Sequence, residues 1–249
     1  MIKINDYLLF VITITFAVIT LGAYVRLSHA GLGCPDWPGC YGYLIGVPDN
    51  SVEIANAQAN FSGANVDITK AWKEMIHRYL AGALGIFIFI ISCIFYKKNT
   101  SKNFKLSILI SFLVVIQAGL GMLTVTLQLQ PIIVMFHLVG GLTIIALLWL
   151  LFLMNNQSNY FSNIKVLNNI SFGKIKKISI LGYVTLGVFI IQIMLGGWTS
   201  TNYAALACVD FPMCNNSWWP SMDFYNAFIF ELSADLNYEF GRLDSPARV

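Results

Sequence analysis

Five long apolar runs dictate what this chain can become. They cover positions 7–27, 76–96, 106–127, 132–154 and 178–198, and Arg26 and Arg78 are the only fully charged side chains within them. A run of about 20 apolar residues, wound at about 1.5 Å per residue, crosses the ~30 Å hydrocarbon core of a bilayer. No water is present there to satisfy unpaired backbone groups, so segments of this length cross as helices. The chain as a whole is 57% apolar and 11% charged, against about 25% charged in soluble domains. The sequence therefore predicts an all-α membrane protein. The first run reads as a spanning helix rather than a cleaved leader: it exceeds the 7–15 apolar residues typical of one, and Arg26 precedes the small residues of Ser28-His29-Ala30. A net charge of +3, spread over short loops, supplies no basic patch and excludes a nucleic-acid partner. The expected surroundings are lipid.

Lysines set the orientation. Lys3 precedes the first run, Lys97, Lys98, Lys102 and Lys105 join the second to the third, and Lys165, Lys174, Lys176 and Lys177 join the fourth to the fifth. With five spans, all three regions fall on one side, which the positive-inside rule makes cytoplasmic. The N-terminus is then cytoplasmic, and 28–72, 128–131 and 199–249 are external. The external stretches hold Asp36, Asp49, Glu53, Asp67, Asp210, Asp223 and Glu231.

The sequence also repeats itself. Positions 21–40 read LGAYVRLSHAGLGCPDWPGC and positions 195–214 read LGGWTSTNYAALACVDFPMC. They align without gaps at an offset of 174, pairing Leu21, Gly22, Ala30, Leu32, Cys34, Asp36, Pro38 and Cys40 with Leu195, Gly196, Ala204, Leu206, Cys208, Asp210, Pro212 and Cys214. Each stretch follows a helix that runs outward, so the first and fifth helices are equivalent. The expected architecture is a tandem four-helix-bundle repeat in parallel orientation, with five of eight transmembrane helices present. Residues 1–154 form the N-terminal bundle, 155–177 a cytoplasmic linker, and 178–249 the start of the second unit. The sequence reads as a C-terminal truncation of that eight-helix plan; a five-helix protein with an external tail is the alternative.

The cysteines at 34, 40, 208 and 214 form two C-x5-C pairs in external loops. An oxidising exterior favours two local disulfides, Cys34–Cys40 and Cys208–Cys214. They serve either as loop staples or in a redox role. Cys93, deep in the second helix, reads as a packing residue. Of the three histidines, His29 reads as an exposed loop residue. The second helix, capped by Thr69, carries His77 about 12 Å in. The fourth, with Pro131 in its first turn, carries His137 about 9 Å in. Two imidazoles at matched depth on alternate helices of one bundle suit axial ligation of haem iron; a hydrogen bond to a neighbouring helix is the simpler use of either. Ala81, Gly82, Ala83, Gly85, Gly140 and Gly141 follow the two histidines, leaving room for a flat macrocycle or for close helix packing. Glu74 lies three residues before His77 on the same face, beside Arg78. Ionisable groups within a membrane are functional candidates. Gln117 is a polar neighbour on the third helix, and Arg26 at the outer end of the first suits a propionate or a lipid phosphate.

The segments LGAYVRLSHAGLGCPDWPGCYG (21–42), AWKEMIHRYLAGALG (71–85), QAGLGMLTVTLQLQP (117–131), HLVGG (137–141) and QIMLGGWTSTNYAALACVDFPMC (192–214) together resemble haem A synthases, the cytochrome oxidase assembly factors. The resemblance implies an enzyme of the bacterial inner membrane that oxidises a ring methyl of haem O to the formyl of haem A, with the cysteine loops in the periplasm. It implies that His77 and His137 match the pair at the substrate haem, that Glu74 matches the essential glutamate of an E-x-x-H-R element, and that Cys34 and Cys40 match the external cysteine pair. It also implies a haem b in a C-terminal half whose two histidines this sequence lacks. Haem O synthase is the implied donor, and a quinone or another electron acceptor the implied oxidant. A homo-oligomer is compatible with the sequence. Two other functions fit the same residues: a non-catalytic haem-binding electron relay, and a membrane thiol-disulfide oxidoreductase using the cysteine pairs. The x5 spacing, unlike C-x-x-C, makes the latter weaker.

Overall fold

The computed structural model of the chain describes residues 4–61, 66–156, 172–229, 238 and 241–249. The elements are α1 (Ile4–Leu27), α2 (Ser51–Asn60), α3 (Ile68–Lys97), α4 (Ser101–Thr126), α5 (Pro131–Asn155) and α6 (Phe172–Thr201), followed by the single turns α7 (Phe224–Ala227) and α8 (Ser245–Arg248). Among the described residues five helices, α1, α3, α4, α5 and the 177–201 part of α6, are long and apolar enough to cross a membrane. The protein is an all-α, multi-pass membrane protein, with its five spans where the apolar runs place them.

Helix α1 packs on α3 and α5, and α4 packs on the same two. The four make a square bundle with α3 and α5 on one diagonal. Helix α6 lies outside the square against α5. Phe16, Ile86, Phe112 and most of α6 point outward and are exposed, the expected surface for a lipid solvent. Lipid tails are as apolar as these side chains, so the bundle is held by close packing and interhelical hydrogen bonds rather than by removal of surface from water.

Two separate cores result. At the lysine-bearing end, Leu8, Val11 and Val18 of α1, Leu84, Ile88, Ile91 and Phe95 of α3, Ile110 of α4 and Ile144, Leu148 and Leu151 of α5 form one buried cluster. Polar ties reinforce it: Tyr7 donates to the Phe87 carbonyl at 3.1 Å, and the Ser92 and Ser111 hydroxyls bond at 2.9 Å between α3 and α4. At the opposite end, Cys34, Cys40, Tyr41, Val47, Ala57, Ala71 and Met75 pack the first cysteine loop and α2 onto the start of α3. The space between the two cores is the site described below.

Three expectations change. Helix α3 begins eight residues before the apolar run, and its cap is Asp67, whose carboxylate accepts from the Lys70 amide at 3.0 Å, not Thr69. Its first two turns mix Thr69, Lys70, Lys73 and Glu74 with apolar residues, so hydropathy alone does not see them. Cys93 is exposed on the outside of the bundle rather than packed within it. Helix α2 is an addition, started by Asn50, which accepts from the Glu53 amide at 2.9 Å, while Glu53 accepts from the Asp49 amide at 3.1 Å. Lys3, Lys165, Glu231 and most of the 155–177 linker lie outside the described residues.

The repeat is visible as geometry. Each cysteine loop closes its disulfide. Asp36 accepts from the Tyr41 and Gly42 amides at 2.6 and 2.8 Å, and Asp210 accepts from the Asn215 and Asn216 amides at the same distances. Bridges Cys40–Tyr43 and Cys214–Ser217 match, as do the left-handed residues His29 and Tyr203. All these pairs keep the offset of 174. The loops differ in what they rest on. The first is pinned to α3, whereas Leu206, Val209 and Phe211 of the second are 85%, 85% and 97% exposed.

Candidate functional site

Between the two cores the four helices enclose a cavity of about 1040 Å³, at the upper end of the roughly 300–1,000 Å³ of small-molecule sites. Glu74, His77, Arg78, Gln117, His137 and Arg26 all line it. The walls are otherwise mostly apolar or small: Val18, Ile19 and Gly22 of α1, Ala81 to Gly85 of α3, Val114, Ala118 and Gly121 of α4, Leu138 and Ile144 of α5. Trp37, Pro38 and Leu44 of the first loop stand at its mouth.

The histidines come from α3 and α5, the diagonal helices, so they approach the cavity from opposite corners. Each leans over a glycine of the adjacent helix. A Cβ at Gly22 would stand 2.9 Å from His77 Cε1, and one at Gly121 would stand 3.4 Å from His137 Cε1. The absent side chains are what give the rings their places. Both rings keep Nδ1 buried with no hydrogen-bond partner among the described residues. Two histidines on opposed helices of one large, mostly apolar cavity fit an iron porphyrin, whose ring supplies the remaining ligands. Gln117 fixes the His137 backbone by donating its side-chain amide to the His137 carbonyl.

Glu74 is the only carboxylate lining the cavity among the described residues. It is 4% exposed. One oxygen pairs with Arg78 at 2.5 Å, and the other accepts from the Cys34 amide at 3.0 Å. Arg78 in turn donates to the carbonyls of Asp36 and Gly39 at 2.9 and 2.5 Å. The E-x-x-H-R element therefore does two things from one helical turn: it aims His77 inward and clamps the cysteine loop over the cavity mouth. That clamp was not legible beforehand, because its acceptors are backbone carbonyls some 40 residues away.

Arg26 ties the cavity to the second repeat. It donates to the Tyr203 hydroxyl at 2.7 Å and the Ser200 carbonyl at 2.9 Å, with its guanidinium 4.3 Å from the centre of the Tyr203 ring. His29, exposed as its loop position suggests, stacks on the same ring at 5.6 Å. Gly197, Ser200 and Thr201 of α6 also reach the cavity wall; sequence reasoning missed them, and no local signal marks them. The Cys34–Cys40 disulfide stands behind Glu74, and Cys208–Cys214 does not line the cavity.

Fold and site define the class: a helical membrane protein with a large histidine-flanked ligand chamber inside one bundle. The family model of the cytochrome oxidase assembly protein, COX15-CtaA, matches residues 5–238. A heme A synthase of Shewanella oneidensis is 44% identical over 237 residues, covering 94% of this chain and 68% of that relative. Heme A synthases of Ehrlichia ruminantium and Shouchella clausii are 27% and 23% identical, covering 80% and 82% of this chain and 60% and 62% of their own lengths. No solved structure matches. The chain belongs to the cytochrome oxidase assembly protein family and stands within it beside the heme A synthases. It spans between three fifths and about two thirds of the length of these relatives.

Proposed function

We propose that this protein is a haem A synthase and that the chamber between α1, α3, α4 and α5 is its substrate half. The observation that carries it is the pair of imidazoles on diagonal helices of the bundle, both lining one large, mostly apolar cavity. In this reading His77 and His137 hold the iron of haem O, and Gly22 and Gly121 give the rings room. Arg26 faces a propionate. Gln117 steadies the backbone under His137. The first cysteine loop, pinned by Glu74 and Arg78, keeps water from the mouth. Conversion of a ring methyl to a formyl takes up one oxygen atom and, with water as its source, releases four protons and four electrons to an acceptor of the quinone class or another oxidant. In this reading Glu74, the carboxylate that lines the chamber, receives protons from the reaction.

The same proposal puts the cysteine loops in the periplasm and the N-terminus in the cytoplasm of a bacterial inner membrane, takes haem O from haem O synthase, and assigns haem b to the second repeat. The Cys34–Cys40 pair is a staple in this reading: both residues are fully buried, and thiol exchange needs access.

Extraction and chromatography of the haems in the purified protein test it. Haem O and haem A in wild type, and their loss in His77→Ala and His137→Ala with the fold intact, are the expected result. Haem b alone, after haem O has been supplied, overturns the reading in favour of a non-catalytic electron relay.

A further inference from the structure

Three fully charged side chains line the chamber among the described residues: Glu74, Arg78 and Arg26. Glu74 and Arg78 neutralise each other. Arg26 pairs with no carboxylate among the described residues; its partners are a phenol and two helix carbonyls, all neutral. The wall therefore carries one uncompensated positive charge. A charge held against a mostly apolar wall is costly unless a counter-ion meets it. The chamber is thus suited to a ligand that brings a carboxylate.

The groups that hold this charge belong to the second repeat. Nη2 of Arg26 donates to the Ser200 and Thr201 carbonyls at 2.9 and 3.4 Å, at the C-terminal end of α6, where the helix dipole is negative. Nη1 donates to the Tyr203 hydroxyl at 2.7 Å, and the guanidinium carbon lies over the Tyr203 ring, 4.3 Å from its centre. The ring is itself confined. His29 stacks on it at 5.6 Å with the planes 9° apart, and a Cβ at Gly241 would stand 3.2 Å from Tyr203 Cδ2. Of the five guanidinium N–H groups, one on Nη1 and the Nε–H are left for a ligand.

We infer that Tyr203 is a positioning residue for the chamber of the other repeat: its hydroxyl and ring, together with the end of α6, fix the Arg26 guanidinium at the wall, where it meets a carboxylate of the bound ligand. The inference rests on the haem reading above, in which that carboxylate is a propionate. It makes the grip of the first chamber depend on a side chain 177 positions from Arg26. Without Tyr203 the guanidinium is free to take more rotamers, and fixing it on binding costs affinity for the carboxylate alone.

Absorbance titration of the detergent-purified protein with iron protoporphyrin IX and with its dimethyl ester, which has no carboxylate, tests the role of Tyr203. Wild type is expected to bind the free acid at least about tenfold more tightly, which corresponds to about 1.4 kcal/mol. Arg26→Ala should abolish that ratio. Tyr203→Ala should cut it to about threefold or less, with affinity for the ester kept within about twofold of wild type. Tyr203→Phe keeps the ring and loses only the hydroxyl; its ratio should fall between those of wild type and Tyr203→Ala, and it decides the question should Tyr203→Ala misfold. A merely structural defect weakens both porphyrins alike. Equal weakening of the two by the tyrosine variants, or an unchanged ratio in them, therefore overturns the role of Tyr203 and leaves the histidine site standing. Equal binding of acid and ester by wild type removes Arg26 as the carboxylate partner, and the inference with it. Binding of neither porphyrin by wild type overturns the haem reading itself.

Discussion

Removing the Glu74 carboxylate separates its clamp from its chemistry. Glu74→Ala leaves Arg78, whose side chain is 11% exposed, without its counter-ion, and leaves the Cys34 amide without its acceptor. Breaking a buried pair by deleting one partner costs about 3–5 kcal/mol. For a chain of this size each kcal/mol moves the melting temperature by about 2–4 °C, so a fall of roughly 6–20 °C is expected. Glu74→Gln keeps an oxygen for the Cys34 amide and lets Arg78 retain its carbonyl partners, so its loss is smaller. Thermal unfolding in detergent, read by tryptophan fluorescence, measures both, and haem conversion is assayed on the same samples. A glutamine variant that is nearly as stable as wild type, binds haem and makes no haem A assigns the carboxylate a proton-handling role. Unfolding of Glu74→Ala within about 2 °C of wild type would refute the clamp, and full conversion by Glu74→Gln would refute the proton role.

Gly22→Ala puts a methyl group 2.9 Å from His77 Cε1; displacement of the ring is expected to weaken haem binding and change the haem absorption spectrum, with helix content by circular dichroism unchanged. Cys34→Ser with Cys40→Ser opens a loop so short that the disulfide contributes only about 2 kcal/mol, and the Arg78 contacts persist. Retained conversion with a modestly lower melting temperature is expected, and loss of conversion in a folded protein would restore a redox role. Burial, and then the nearby carboxylates of Glu74, Asp36 and Asp67, hold the Tyr41 phenol above its ordinary value of 10.0. The folded state therefore keeps this proton longer than the unfolded chain does. Its stabilising effect is complete below about pH 10 and declines as pH rises through the raised folded value. Melting curves across that range should show an alkaline loss in wild type that Tyr41→Phe reduces.

Much of this molecule was written in local pattern. The five spans follow from apolar length, and the loop repeat follows from an alignment that the two Asp-centred turns reproduce bond for bond. His77, His137 and Gln117 carried their own signals as polar groups in apolar runs, and Glu74 as a carboxylate one helical turn before His77. What was hidden was tertiary or lay outside the apolar window. The first turns of α3 mix charged and apolar residues and needed the Asp67 cap to be read as helix. The Asn50-x-x-Glu53 start of α2 was a readable capping signal beside a weakly apolar segment. The Arg78 clamp binds carbonyls, which every residue has, so no side-chain pattern announces it. The exposed side of Cys93 depends on which helix faces meet, and periodicity is mute where a helix is apolar all round.

The stack of His29 on Tyr203 joins two residues that are each other's counterparts at the offset of 174, and Arg26 reaches the carbonyl of its own counterpart, Ser200. Self-contact of this kind is what a twofold axis produces: it is the isologous interface of a homodimer, here folded into one polypeptide. A true dimer must change both sides of such an interface together. Fusion lifts that constraint, so an arginine can be kept on one side while a serine stands opposite. The joint is thus a place where the two copies of the segment were free to diverge, with an arginine on one side facing a serine on the other.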